Sequence, residues 1–107
     1  MKGERLGEFE ELILLAVATT SNEASGVSIQ EVLERDADRP ASLGAIYAAL
    51  DRLARKGMVE SWLGDPTPMR GGRRKRIYTV TDTGRRSVED SKRIRERLWE
   101  KAQWARS

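Results

Sequence analysis

The segment from residue 42 to 62 constrains the fold more than any other part of this 107-residue chain. Apolar side chains recur in it at spacings of three, four and three residues, at Leu43, Ile46, Leu50 and Leu53. This spacing places them in one stripe along an α-helix. Ser42 is placed to cap the start of that helix, and Gly57 can adopt the left-handed backbone conformation that ends it.

The helix face opposite the stripe is lined by small residues and edged by arginines: Gly44, Ala45, Ala48, Arg52 and Arg55. A solvated face normally carries long charged side chains, whereas small residues let another surface approach closely. Residues 59–63 then predict a short strand, and residues 76–80 predict a second one. The order helix, strand, basic loop, strand is typical of a winged helix-turn-helix that reads DNA.

The loop between the two predicted strands concentrates positive charge. Residues 70–76 read RGGRRKR, with five basic residues and no acidic one, while the rest of the chain has fifteen basic and seventeen acidic residues. Such a cluster is typical of a polyanion-binding site, since it can neutralise phosphates and release their counterions. The alternative is a solvated basic loop without a partner.

Three further helices are predicted. The first covers residues 8–20. The second opens at Ser28 and Glu31, which have capping-box spacing. The last covers residues 82–105 and is capped by Thr81. The predicted fold class is mainly α with a small β-hairpin wing: a winged helix-turn-helix DNA-binding domain at residues 1–81 and a C-terminal dimerisation helix at residues 82–107.

The first and last predicted helices carry more apolar surface than one small domain can cover, because the first is apolar nearly all round and the last has a near-heptad seam. We expect them to pack together in a two-fold homodimer. The predicted interface comprises Phe9, Leu12, Leu15, Val88, Ile94, Leu98, Trp99 and Ala102. Packing of the last helix on the chain's own first helix is the alternative. Trp99 is either a dimer anchor or part of a cavity that stacks a flat aromatic effector.

The third helix carries the residues expected to contact DNA. Ala45 and Ala48 would touch thymine methyl groups, and Gly44 lets the backbone approach. Arg52 would reach phosphate or guanine. Ser42 and the first-turn amides form an anion site suited to phosphate.

Each of these assignments has a simpler alternative. Tyr47 is expected to have a half-buried ring and an emerging hydroxyl, but it is equally well a core residue. The alanines also follow from helix propensity alone, and Arg52 and Arg55 from solvation. The predicted DNA-binding set is Ser42, Gly44, Ala45, Tyr47, Ala48, Arg52, Arg70, Arg73, Arg74, Lys75 and Arg76.

Composition argues against several other classes of protein. The chain has no His and no Cys, so the usual general base, thiol nucleophile and zinc ligands are missing and we expect neither an enzyme, a metal site nor a cofactor. The longest apolar run, residues 12–18, is far too short to span a membrane. Acidic residues precede it where a secretory signal would be basic. We therefore expect a cytoplasmic protein without a membrane partner.

Four segments together resemble the PadR-type transcriptional regulators. They are LGEFEELILLAV at 6–17, SGVSIQEVL at 25–33, SLGAIYAALDRLARKGMVES at 42–61 and PTPMRGGRRKRIYTVTDTGRR at 66–86. The resemblance implies a bacterial winged-helix repressor that binds an inverted-repeat operator as a homodimer through its N- and C-terminal helices. The single C-terminal helix is similar to that of short-tailed members.

The resemblance also implies roles for individual residues. Ser42, Gly44, Ala45, Tyr47 and Ala48 would face the major groove, and residues 73–76 the backbone or minor groove. Trp99 loosely matches a C-terminal tryptophan with which some members bind flat aromatic compounds at the dimer interface. Many relatives carry Pro where this chain has Ala48, which affects the exact base contacts. The competing hypothesis is a winged-helix protein–protein interaction module, which would more often expose apolar residues on the wing.

Overall fold

Four helices and one antiparallel hairpin make up the described part of this computed structural model, which covers residues 6–21, 23–64 and 74–104. In chain order the elements are α1 (Glu8–Ala18), α2 (Gly26–Ala37), α3 (Leu43–Arg55), β1 (Val59–Leu63), β2 (Arg76–Val80) and α4 (Asp82–Lys101). The predicted fold class, mainly α with a hairpin wing, is confirmed. The division into domains at residue 81 stays a prediction.

The core lies between α1, α2 and α3. Its largest fully buried side chains are Ile13, Leu14, Val17, Ile29, Leu33, Ile46, Leu50 and Leu53. Each of them contributes about 1.5–3 kcal/mol when it is removed from water. The predicted stripe of α3 is confirmed at three of its four positions. Leu43 is the exception, since it lies in the first turn at the edge of the stripe and stays 37% exposed.

The first helix is less apolar on its outer side than predicted. Leu14, one of the apolar residues that make this helix apolar nearly all round, is only 1% exposed because it packs into the chain's own core. Leu15 remains 46% exposed. The helix ends at Ala18 because the hydroxyls of Thr19 and Thr20 donate back to the carbonyls of Ala16 and Val17, at 2.8 and 2.7 Å.

The second helix begins earlier than predicted. Ser25, not Ser28, is its N-cap, and Ser28 occupies the third helical position. Ser28 N–H donates to Ser25 Oγ at 3.2 Å, and Ser25 N–H donates to Ser28 Oγ at 2.9 Å. The predicted Ser28–Glu31 capping box is therefore wrong, because a serine closes the box in place of the acidic residue that usually does so.

The hairpin, which we call the wing together with the loop that joins its strands (residues 59–80), has the strand bounds predicted. Val59 pairs with Val80 and Leu63 with Arg76. Buried Tyr78 fastens the wing to the turn before α2, because its N–H donates to the Ala24 carbonyl at 2.8 Å and its carbonyl accepts from Ala24 N–H at 3.3 Å. The wing base is thereby fixed relative to the three helices.

The last helix starts against the core and becomes exposed towards its C-terminal end, although Arg95 still binds Glu11 of α1. Thr81 caps it as predicted, since its Oγ1 accepts from Gly84 N–H at 3.0 Å and donates to the Gly57 carbonyl at 2.7 Å. Gly84 packs so closely that a Cβ there would lie 2.3 Å from the Met58 carbonyl oxygen. From residue 92 onward every described residue is exposed. The helix ends at Lys101, four residues before the predicted end.

Candidate nucleic-acid interface

The face of α3 that points away from the core carries small side chains in its first two turns, followed by the exposed carboxylate of Asp51 and the exposed guanidinium of Arg55. Gly44, Ala45 and Ala48 are all exposed. Ser42 caps the helix as predicted, with its Oγ accepting from Ala45 N–H at 3.1 Å. A base edge or phosphate can therefore approach both the helix backbone and its N-terminal turn.

Tyr47 lies on one flank of that face. The residue is 42% exposed, and its hydroxyl lies over Gly26 at the start of α2, where any side chain would collide with it. Burial, followed by the nearby Tyr47, raises the pKa of the core residue Tyr78 above its ordinary value. Tyr47 thus spans α2 and α3 with one edge open, and its role in DNA binding stays a prediction.

Arg52 occupies the other flank and is held by an acidic residue of α1. Its Nε donates to Glu10 Oε2 at 3.1 Å, while 46% of its side chain stays exposed. Glu10 Oε1 also accepts from Lys56 Nζ and from Gly7 N–H, each at 2.9 Å. Burial favours a raised pKa at Glu10, but these hydrogen bonds outweigh it and hold the pKa below its ordinary value.

Sequence reasoning missed Glu10 as a functional residue, although a signal was present. Glu10 falls at helical spacing with Ile13, Leu14 and Val17, the buried stripe of α1. A carboxylate at such an inward position is almost never buried without a paired cation. The spacing alone does not say which cation pairs with it, because Arg52 and Lys56 lie more than forty residues away in the sequence.

The wing contributes three described cations, Arg74, Lys75 and Arg76, all of them exposed. Arg76 Nη1 donates to Ser61 Oγ across the hairpin at 3.0 Å. Within the described ranges, no carboxylate forms an ion pair with any of the three. The other two predicted wing residues, Arg70 and Arg73, lie outside the described residues.

The residues predicted for the dimer interface lie on two separate surfaces. On α4, Val88 packs partly against the core, whereas Ile94, Leu98, Trp99 and Ala102 are exposed. On α1, Leu12 and Leu15 line a groove of about 210 Å³ against Val32 and Leu33 of α2. Phe9 is half-buried beneath the Arg39 guanidinium, whose carbon lies 5.1 Å from the ring centroid. Trp99 stands beside Trp104, with ring centroids 5.3 Å apart.

Two other kinds of site are not found in the part of the chain that the structure describes. No group of three or more acidic, His or Cys side chains is arranged to hold a metal ion. None of the helices is both long enough and apolar enough to cross a bilayer. The described residues therefore expose two kinds of surface. One, on α3 and the wing, carries small and cationic side chains, and the other, on α1 and α4, carries apolar side chains.

The structure combines a helix-turn-helix formed by α2 and α3, an exposed outer face on α3, and a basic wing. Together these features define a winged-helix transcriptional regulator. Residues 14–90 match the family model of the transcriptional regulator PadR-like family. The chain belongs to this family, so the resemblance is confirmed, and so is the prediction that the protein is a regulator and not an enzyme. No curated protein sequence matches the chain.

Solved structures of the same family share the fold. A PadR family transcription regulator from Clostridium difficile superimposes with a TM-score of 0.69 at 21% identity, over 88% of this chain and 93% of that one. A regulator from Eggerthella lenta gives 0.67 at 21% identity, over 87% and 80% of the two chains. Bacillus subtilis PadR in complex with operator DNA gives 0.64 at 20% identity, over 92% of this chain and 50% of that one.

Proposed function

We propose that this chain is a sequence-specific DNA-binding repressor that acts as a homodimer on an inverted-repeat operator. One observation carries the proposal: an exposed face of small residues on α3 accompanied by three exposed wing cations, Arg74, Lys75 and Arg76, that form no ion pair with another described residue. Small side chains let base edges come close, and cations neutralise phosphates. The operator DNA bound to Bacillus subtilis PadR supports the same class of partner. A repressor of this kind acts in the cytoplasm.

Each surface has a distinct role in the proposed complex. The α3 face inserts into the major groove, where Ala45 and Ala48 contact thymine methyl groups and Gly44 admits the backbone. The first turn at Ser42 binds a phosphate. The wing cations follow the backbone or enter a narrow minor groove. Base identity is then read by α3, while the wing supplies most of the salt-dependent affinity.

The homodimer is supported by apolar side chains that the described chain leaves uncovered. Ile94, Leu98 and Trp99 are 52, 62 and 69% exposed, and Leu15 borders the groove on α1. Packing α4 of one chain against α1 of its partner would cover both surfaces. A two-fold dimer would place its α3 helices in half-sites about one helical turn apart, roughly 34–36 Å. The proposed effector, a flat aromatic compound that releases DNA, would stack on Trp99 within that interface.

The experiment that tests this function is fluorescence anisotropy at two salt concentrations. Its probes are a duplex selected by the chain from a random-sequence pool and a scrambled duplex of the same composition. The double variant Arg74→Ala/Lys75→Ala should reduce the slope of log K against log salt by about 1.8, because two phosphate contacts are lost. Lys92→Ala/Arg93→Ala on α4 removes the same charge as a control and should leave the slope closer to that of the native chain.

A protein–protein interaction module is the second candidate, and a feature of the wing favours it. Trp62 and Leu63 of β1 are 45 and 48% exposed. Exposed apolar side chains on a wing are better suited to contact a protein partner than to contact a phosphate backbone. Failure to bind either duplex, even at low salt, would favour this second function. Equal binding to both duplexes would reduce the first proposal to a generic DNA binder.

A further inference from the structure

Two consecutive carboxylates, Glu10 and Glu11, are buried near the start of α1. Only 6 and 7% of these residues is exposed. Buried carboxylates are costly unless cations and hydrogen bonds compensate for lost water. Both are paired, but to different parts of the fold: Glu10 binds Arg52 of α3 and Lys56 at the C-cap of that helix, and Arg95 Nη1 of α4 donates to the Glu11 carboxylate at 2.6 Å. The two neighbours therefore act on different elements.

The Glu10 carboxylate is fully engaged. Its Oε1 accepts from Gly7 N–H and from Lys56 Nζ, and its Oε2 accepts from Arg52 Nε. Its side chain is 7% exposed, whereas that of Arg52 is 46% exposed. The Glu10 end of the pair, on α1, is therefore buried, and the Arg52 end, on α3, is exposed to solvent.

Arg52 is held by one edge only. Its Nε is bound to Glu10, and its Nη1 and Nη2 donate no hydrogen bond to another described residue. Arg52 follows exposed Ala48 by one helical turn, so the open end of its guanidinium borders the face of α3 that we propose to enter the major groove. An arginine fixed at Nε loses less conformational freedom when its outer nitrogens bind a phosphate or a guanine.

We propose that Glu10 is a positioning residue for sequence-specific DNA binding, holding Arg52 so that its outer nitrogens meet one guanine of the operator. The inference rests on the proposed function and deepens it. Glu10 itself touches no DNA. The negative charge of Glu10 slightly opposes the general attraction of the protein to DNA, so removing that charge should not weaken binding to a mismatched duplex. Binding to the matched duplex should weaken, because Arg52 is no longer held in position.

Four variants test this role by anisotropy on the selected and scrambled duplexes: Glu10→Gln, Glu11→Gln, Arg52→Ala and the double variant Glu10→Gln/Arg52→Ala. Glu10→Gln should weaken binding to the selected duplex about tenfold while changing scrambled-duplex binding less than about twofold. Glu11→Gln is the matched control, because it is equally buried in the same helix but pairs with α4. It should change the affinity for either duplex by less than about twofold.

The double variant separates positioning from general stability. If Glu10 acts through Arg52, the double variant should bind the selected duplex no more weakly than Arg52→Ala alone, since the two changes remove one interaction. The proposal would be overturned if the fold-losses in affinity of the two single variants multiplied in the double variant. It would also be overturned if Glu10→Gln weakened binding to both duplexes equally or kept native affinity. A native chain that selects no duplex would instead overturn the proposed function itself, which distinguishes the two failures.

Arg52→Lys provides a second test if Glu10→Gln does not fold, as judged by circular dichroism. Lysine keeps the positive charge but has no fixed fork whose inner edge can be held while its outer edge binds. The variant should lose affinity for the selected duplex about as far as Arg52→Ala does and keep its affinity for the scrambled duplex. Native selectivity in Arg52→Lys would show that charge alone suffices, and the positioning role would be wrong.

Discussion

The three-helix core and the distal part of α4 (residues 92–101) use the same apolar residue types in opposite ways. In the core, Ile46 and Leu50 are 0% exposed, whereas Ile94 and Leu98 on distal α4 are 52 and 62% exposed. Each pair has the four-residue spacing that places both side chains on one face of a helix. Core side chains such as Leu50 therefore stabilise the fold of the single chain, while Ile94 and Leu98 leave more than half of their surface uncovered and available for association.

The largest effect should follow truncation in the core. Leu50→Ala removes a fully buried side chain and leaves a cavity among α1, α2 and α3. We expect it to lower the free energy of unfolding by about 2–5 kcal/mol in urea denaturation. Leu63→Ala on β1, where the leucine is 48% exposed, is the matched control and should cost much less. Similar losses for the two variants would contradict the assignment of the core.

The next effect comes from the point where α4 leaves the core. A Cβ at position 84 would lie 2.3 Å from the Met58 carbonyl oxygen, and backbone cannot move aside as a side chain can. Gly84→Ala should therefore lower the free energy of unfolding by about 1–3 kcal/mol. Gly44→Ala is its control, since a Cβ there would meet only Ser42 Oγ, at an ordinary contact distance of 3.9 Å, and the change gains helix propensity. A stabilised Gly84→Ala chain would show that α4 packs more loosely at its start.

A smaller effect is expected at the start of α2. Ser25→Ala removes the oxygen that accepts from Ser28 N–H and should lower the free energy of unfolding by about 1 kcal/mol. Ser87→Ala, within α4, makes the same chemical change without removing a cap. If thermal unfolding were unchanged in Ser25→Ala, the helix would begin elsewhere, and the Ser28 start that sequence spacing predicted would regain support.

The capping example shows how far local sequence determines this fold. The stripe of α3, the Ser42 cap and both strand bounds follow from patterns a few residues long, so they could be predicted. Ser25 was missed because two serines three residues apart can each start a helix. With the helix starting at Gly26, Tyr47 of α3 packs over that residue, which must therefore lack a side chain. That contact is tertiary and has no local signature.

The candidate site divides in the same way. The small face of α3 and the basic wing could be recognised from composition and order alone. The Glu10–Arg52 pair could not, because it joins two residues of different helices that lie forty-two positions apart in the sequence. The burial of Leu14 could not be predicted either, because it depends on how α1 packs against the rest of the core. Spacing identifies apolar faces, but only packing shows which of them the chain itself covers.

Acid should produce a limited further effect. The pKa of Glu10 is lowered in the folded state, although burial offsets part of what its hydrogen bonds gain. Its stabilising contribution is therefore complete above the unfolded pKa of 4.5 and is lost as pH falls through the lower, folded value. Urea denaturation between pH 6 and 3 should show a shallower loss of stability in Glu10→Gln than in the native chain. Parallel pH profiles would contradict this.

The smallest effect on folding should come from a change on distal α4. This change tests most directly whether distal α4 differs from the three-helix core. Leu98→Ala truncates a side chain that is 62% exposed, so the free energy of unfolding at low protein concentration should change by less than about 0.5 kcal/mol. Sedimentation at higher concentration should nevertheless show weaker self-association than in the native chain. Lys101→Ala, on the same exposed stretch, should alter neither quantity. A large folding loss in Leu98→Ala that does not depend on concentration would mean that the distal helix packs on its own core, and the two regions would no longer differ in kind.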